Sequence, residues 1–252
     1  MICVPFFVNE KLDSLFISYI WMKDNWNSIT SKYMLDESDL NIFSLSYRQL
    51  VNALEMLYKQ QQIQVINQQL ENAAITDYLT SLLNRDGFYG NIARYIENAK
   101  NTQERLDLTI LYIDLDNFKF YNDTFGHDVG DLILKKIANQ LREAAGTEGF
   151  AVRFGGDEFL IVLRTSDEAF CTNVAKNVLD EIHAHKGYQA EISEMLGQDV
   201  TIPAEKTVSA SIGIAITPNI TSDADISNAL KRADTVLYKI KHSTKSDFMV
   251  AP

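Results

Sequence analysis

The sequence predicts an α/β protein of the α+β, ferredoxin-like kind: a mixed central sheet flanked by helices, preceded by one long N-terminal helix and a partial β-containing segment. Three observations carry that expectation. Beyond Ile75, runs with strand character alternate with runs of helical spacing; two of the strands are separated only by a short Gly-Gly turn and so form an antiparallel hairpin. From Asn41 to Ala74 there is neither Gly nor Pro, and apolar residues recur at helical intervals.

Taken in order, Cys3–Val8 and Ser14–Trp21 are β-rich runs joined by Asn9-Glu10-Lys11-Leu12-Asp13, a hairpin. Two strands alone are marginal, so residues 1–40 are read as the last part of a sensor or input domain. Residues 41–74 form a long signalling helix with apolar positions at Leu50, Leu54 and Leu57, then Ile63, Ile66, Leu70 and Ala73. Such a helix reaches roughly 50 Å and needs something to pack on, either a partner helix in a coiled coil or its own N-terminal segment. The two apolar series do not share one heptad register, which places a phase shift near Gln60-Gln61-Gln62. The rest, residues 75–252, is predicted to contain helices at 84–99, 128–145, 167–185 and 225–241 and strands at 106–114, 150–154, 159–164 and 207–215. Thr165 and Glu168 have the spacing of a capping box, and Ile226, Leu230, Ala233, Leu237 and Ile240 give the last helix a buried stripe.

The 46% hydrophobic and 23% charged composition is that of a folded globular chain. A net charge of −11 argues against a duplex nucleic-acid binder, although a divalent metal can still bring an acidic protein to a nucleotide. Cys3 and Cys171 stand alone, without disulfide or zinc spacing, which fits a reducing cytoplasm. The apolar patch Leu15–Met22 is too short and interrupted for a membrane segment.

Two constellations carry chemistry. In Arg153-Phe154-Gly155-Gly156-Asp157-Glu158-Phe159 a turn between apolar strands holds two glycines and two carboxylates. Glycine permits positive φ and close approach of a phosphate; taken alone, the stretch reads equally well as a solvated turn with incidental acids. In Leu111-Tyr112-Ile113-Asp114-Leu115-Asp116-Asn117-Phe118-Lys119 a strand ends in acids. Asp114 and Glu158 from neighbouring strands would suit Mg²⁺, which takes one or two carboxylates plus substrate phosphates, while Asp116 is read as a helix cap.

Together these segments resemble the GGDEF family of diguanylate cyclases. Arg153 to Phe159 carry its signature, Asp77-Tyr78-Leu79-Thr80-Ser81-Leu82-Leu83-Asn84-Arg85 resembles its opening motif, and Asn122-Asp123, Gly126-His127 and Gly130-Asp131 continue its nucleotide-binding segment. Ser211-Ile212-Gly213, Ala233-Asp234, Leu237-Tyr238 and Lys241 complete the order over about residues 75–250. The resemblance implies a nucleotidyl-cyclase palm that joins two GTP into cyclic di-GMP with release of two pyrophosphates, active as a homodimer brought together by the N-terminal helix. It implies that Asp114, the Leu115 carbonyl and Glu158 hold two Mg²⁺ per site, with Mn²⁺ able to serve, and that Asp157 is the general base. Asn122 and Asp131 then read guanine, and Lys119, Lys241 and Lys245 contact phosphates beside Phe118, Gly155 and Gly156. His127 is read as a structural hydrogen-bonding residue.

The sequence departs from the family at three places. Its usual Gly after Leu-Thr is Ser81, and its terminal Gly-Arg-Asn is Thr244-Lys245-Ser246, which keeps the charge but loses the bidentate fork. Its inhibitory Arg-x-x-Asp falls on Gly146-Thr147-Glu148-Gly149, which implies no product feedback through that site. A competing reading, a catalytically weak domain that binds GTP or cyclic di-GMP as a regulator, is disfavoured by the intact Asp114, Asp157 and Glu158.

Overall fold

The structure is a computed structural model that describes residues 2–8, 11–18, 37–243 and 245–252. Its backbone contacts divide into two units between Leu70 and Glu71. In the first, β1 (Ile2–Val8) and β2 (Lys11–Ser18) pair antiparallel, so Lys11 to Asp13 lie in a strand rather than in the expected turn. The remainder of the predicted second strand, residues 19–21, lies outside the described residues. Helix α1 (Glu37–Ile75) runs unbroken for 39 residues, about 58 Å at 1.5 Å per residue. Leu50, Leu54, Leu57, Ile63 and Ile66 are all exposed along it.

The second unit is built on a five-stranded sheet in the order β4 (Gly149–Gly155), β5 (Glu158–Leu163), β3 (Leu108–Asp116), β6 (Ser209–Thr217), β7 (Phe248–Val250). All neighbours are antiparallel except β6 and β7, which makes the sheet mixed as predicted. Central β3 is buried along nearly its whole length, and its side chains alternate between two helical layers. Leu111, Ile113 and Leu115 pack with residues of α4 (His127–Ala145) and α5 (Glu168–Ala184). Leu108, Ile110 and Tyr112 pack with residues of α2 (Arg85–Thr102) and α7 (Asp223–Lys241). Each fully buried Leu or Ile contributes about 1.5–3 kcal/mol, so β3 is a stiff rod between two cores. The period of two also decides the chemistry, since Asp114 and Asp116 continue the even-numbered face, toward α7.

The predicted helices and strands all form, with ends shifted by a few residues. The helix expected after Asp116 is α3 (Phe118–Phe125), and two short elements, α6 (Gln189–Leu196) and β7, were not anticipated. The stripe on α7 is buried at Ile226, Ala229, Ala233, Val236, Leu237 and Ile240, with Leu230 partly covered. The expected capping box at Thr165 and Glu168 does not form. Asp167 is the N-cap, accepting from the Phe170 amide at 3.1 Å, because its carboxylate stands two residues nearer the free amides than Thr165, and the Thr165 hydroxyl instead accepts from the Asp167 amide. The box is found on α7, between Ser222 and Asp225.

Candidate active site

The site begins with register. Antiparallel pairing of β3 with β5 sets Asp114 opposite Glu158, and the Leu115 amide donates to the Asp157 carbonyl at 3.2 Å. The turn between β4 and β5 is therefore fastened to the end of β3. Gly156 has φ +43°, a conformation that an L side chain adopts only with strain, which accounts for a glycine at that corner.

Arg153 holds the turn from the other side. Its Nε donates to the Gly156 carbonyl at 3.0 Å, while Nη1 reaches both Asp77 carboxylate oxygens at 3.1 and 3.2 Å. Asp77 also accepts from the Thr80 amide and hydroxyl at 2.9 and 2.6 Å. Burial opposes the charge on Asp77, but the hydrogen bonds from Thr80 and Arg153 outweigh it and hold the carboxyl below its usual range. Asn84 joins two helix ends, donating to the Ala74 carbonyl at 2.7 Å and accepting from the Gly87 amide at 2.9 Å. The opening and signature motifs thus form one scaffold.

The acids at the mouth are under-partnered by comparison. Burial raises Asp114, Lys241 offsets part of that rise, and the charges of Asp157 and Asp116 add to it. Burial likewise raises Glu158, with Asp114 and Asp157 reinforcing it; the Tyr112 hydroxyl, 3.4 Å away, is a weak partner. Lys241 reaches in from the end of α7, with Nζ 2.5 Å from Asp114 Oδ1, 3.2 Å from the Leu115 carbonyl and 2.9 Å from Asp116 Oδ1. Burial alone would depress this ammonium; its hydrogen bond to Asp114 and its charge contact with Asp116 reverse that and raise it.

Asp116 was expected to cap the following helix, and it does not. The N-cap of α3 is Asn117, with φ +64° and no side-chain cap bond. Asp116 turns inward instead, 3% exposed, where Oδ2 accepts from Ser211 at 2.8 Å, Ser209 at 3.4 Å and the Ser246 amide at 3.1 Å. Oδ1 lies within ion-pair distance of Lys241 but is not aligned with it as a hydrogen bond.

These residues fit a hard divalent cation. Two carboxylates whose charge is disfavoured by burial and by each other, with a main-chain carbonyl beside them, form an oxygen donor set whose acids outnumber the one ammonium, Lys241, that touches it. Among the described residues no cluster of three or more His, Cys, Asp or Glu side chains is arranged to hold a metal, so remaining ligands would come from substrate or water.

A second group lies on α3 and α4. A Cβ on Gly130 would meet Asn122 Oδ1 at 2.0 Å and Phe118 Cζ at 3.3 Å, so the Asn122 amide lies directly over Gly130, the neighbour of half-buried Asp131. Lys119 and Lys245 are exposed. Lys245 borders a cavity of about 360 Å³ whose lining includes Asp116, Asn117 and Ser246.

Residues 74–247 match the family described as diguanylate cyclase, GGDEF domain. The chain belongs to the GGDEF family. It is 32% identical over 170 residues to the diguanylate cyclase DgcN of Escherichia coli, covering 66% of this chain and 40% of that protein. It is 32% identical over 216 residues to the diguanylate cyclase TpbB of Pseudomonas aeruginosa, covering 85% and 45%. The chain thus spans about half or less of these relatives. Among solved structures, the GGDEF domain of TpbB from Pseudomonas aeruginosa superposes with a TM-score of 0.57 at 30% identity, over 70% of this chain and 94% of that one. The coiled coil and GGDEF domain of DgcB from Caulobacter crescentus share the fold, with a TM-score of 0.64 at 24% identity, over 82% and 100%.

The structure bears on two departures from the GGDEF pattern, and gives a physical reason for the one at Gly149 but none for the one at Ser81. Ser81 has φ +56°, so this chain carries a side chain where the backbone favours the family's glycine. Gly149 stands where the family's inhibitory aspartate falls, and any Cβ there would lie 2.0 Å from the Val162 carbonyl oxygen. Neither that aspartate nor any other side chain fits without moving strand β5. The expectation for His127 is corrected: it is exposed at the start of α4, and its ring makes no hydrogen bond among the described residues.

Proposed function

We propose that residues 75–252 are an active diguanylate cyclase, which condenses two GTP into cyclic di-GMP and releases two pyrophosphates. The observation that carries this reading is the cross-strand pairing of Asp114 with Glu158, both raised in pKa, beside the Leu115 carbonyl and the Gly156-Asp157 turn. Asp114, Leu115 and Glu158 would hold two Mg²⁺, or Mn²⁺ by the same chemistry. When bound, the ions would neutralise the triphosphate and the charge on the attacking and leaving oxygens.

Asp157 takes the proton of a ribose 3′-hydroxyl. The freed oxygen attacks the α-phosphorus of the other GTP, forming a phosphodiester bond as the bond to pyrophosphate breaks. Repetition in the opposite sense closes the ring. Asn122 and Asp131 select guanine, since a carboxylate accepts from N1–H and the 2-amino group, and adenine would leave it unpaired. Lys119, Lys241 and Lys245 approach the phosphates.

One site holds one GTP, so the reaction needs two copies of the domain. We assign their pairing to α1, whose exposed Leu50, Leu54, Leu57, Ile63 and Ile66 require a covering partner. No helix among the described residues is long and apolar enough to cross a membrane. Removing residues 1–70 is expected to lower specific activity at low protein concentration, and turnover measured across a dilution series checks it. The reading as a whole is tested by incubating protein with GTP and Mg²⁺ and separating the nucleotides. Cyclic di-GMP and pyrophosphate are expected; GTP retained unchanged on the protein would identify a binding domain instead.

A further inference from the structure

We infer that Lys241 is a resident counter-cation of the metal site, hinged on the buried carboxylate of Asp116, and that a divalent ion can enter only by displacing it from Asp114 and Leu115. This rests on the metal site proposed above and goes beyond it. The ammonium lies against three oxygens, and two of them, Asp114 Oδ1 and the Leu115 carbonyl, are those assigned to metal. An ammonium and a divalent ion cannot share them, because both charges are positive and one space admits one cation.

The third oxygen explains where the lysine goes. Asp116 cannot leave with it, since Ser209, Ser211 and the Ser246 amide fix Oδ2 from three sides. Its Oδ1 is buried and makes no hydrogen bond among the described residues, leaving the Lys241 ammonium as its charge partner. A displaced Lys241 therefore stays tethered to Asp116 while giving up Asp114. Its freed N–H bonds then need an anion, which a triphosphate supplies and water replaces less well. Metal without nucleotide should bind weakly, and metal with nucleotide should bind cooperatively, because each removes the other's cost.

The test is titration of nucleotide-free full-length protein with Mn²⁺, followed by electron paramagnetic resonance of the free ion. Lys241→Met is expected to tighten Mn²⁺ binding on the order of tenfold, since it removes a unit positive charge in contact with the ligands. Lys239→Met, which removes an exposed lysine two residues away on α7, should change affinity by less than about twofold at ordinary salt. Damage to the fold would weaken binding, so a gain cannot arise from misfolding. If Lys241→Met alone does not fold, the Asp116→Asn/Lys241→Met double variant, which removes both buried charges together, is compared with Asp116→Asn and should show the same gain. Unchanged or weaker Mn²⁺ binding in these comparisons overturns the inference. Adding Asp114→Asn to Lys241→Met should abolish the gain. Tight binding that survives Asp114→Asn would overturn both this inference and the metal site on which it rests.

Discussion

Two acid centres lie on either side of the Gly156 turn, and they are treated in opposite ways. Asp77 receives Thr80 twice and Arg153 on both oxygens, and its carboxyl is held below the usual range. Asp114 and Glu158 face each other with one lysine and one distant hydroxyl between them, and both are raised. Burial opposes charge at all three carboxylates, and hydrogen bonds decide the outcome. The saturated centre fixes the turn. The unsaturated one keeps its oxygen lone pairs free for something that arrives from outside. Counting partners thus separates acids that hold the fold together from acids kept ready for chemistry.

The comparison predicts opposite responses to mutation. Glu158→Gln should lower turnover of GTP on the order of a thousandfold while leaving the melting temperature in chelator unchanged or higher, because it removes an unfavourable charge. Arg153→Ala should do the reverse in stability: it leaves Asp77 and the Gly156 carbonyl without their partner and should cost about 2–3 kcal/mol in denaturant unfolding.

The pH dependence should also split. Asp77 is lowered on folding, so its contribution is complete above the unfolded value of about 4 and is lost as pH falls through its depressed folded value. Asp114 and Glu158 are raised, so their contribution to stability is present at low pH and is lost as pH rises through their folded values, above about 4. Melting temperatures from pH 3 to 7 in chelator should therefore show a fall on the upper side that Asp114→Asn/Glu158→Gln abolishes and an acid limb that it does not. The smallest expected effect is at the scaffold loop. Ser81→Gly should stabilise by about 0.5–1 kcal/mol, relief of left-handed strain exceeding the extra entropy of glycine in the unfolded chain, as read by chemical denaturation.

Much of this arrangement is legible in the sequence, and the failures at Lys241, Asp116 and Arg153 have a common cause. Local patterns predict local outcomes: strand alternation and a short Gly-Gly turn were enough to set Asp114 against Glu158, and the Leu237 and Ile240 spacing was enough to bury α7. Lys241 was legible as a phosphate contact by family order but not as the partner of Asp114, 127 residues earlier, because sequence spacing carries no distance between a strand end and a distant helix end. The even-numbered parity of β3 is the signal that could have suggested it. Asp116 was misread for the same reason, since its partners Ser209, Ser211 and Ser246 are remote in sequence. Arg153 opens the signature stretch, and its link to Asp77 across 76 residues is invisible until both motifs are seen to converge on one turn. The capping box at Thr165 failed locally, where a better acceptor, Asp167, stood between the two expected partners.

The central claim is that the acids facing each other across β3 and β5 receive divalent cations beside a triphosphate. Anomalous diffraction from crystals grown with Mn²⁺ and a non-reactive GTP analogue tests it most directly. The account predicts manganese bound by Asp114, the Leu115 carbonyl and Glu158 and in contact with phosphate oxygens. Manganese at another position, or nucleotide bound with none at these residues, would contradict it.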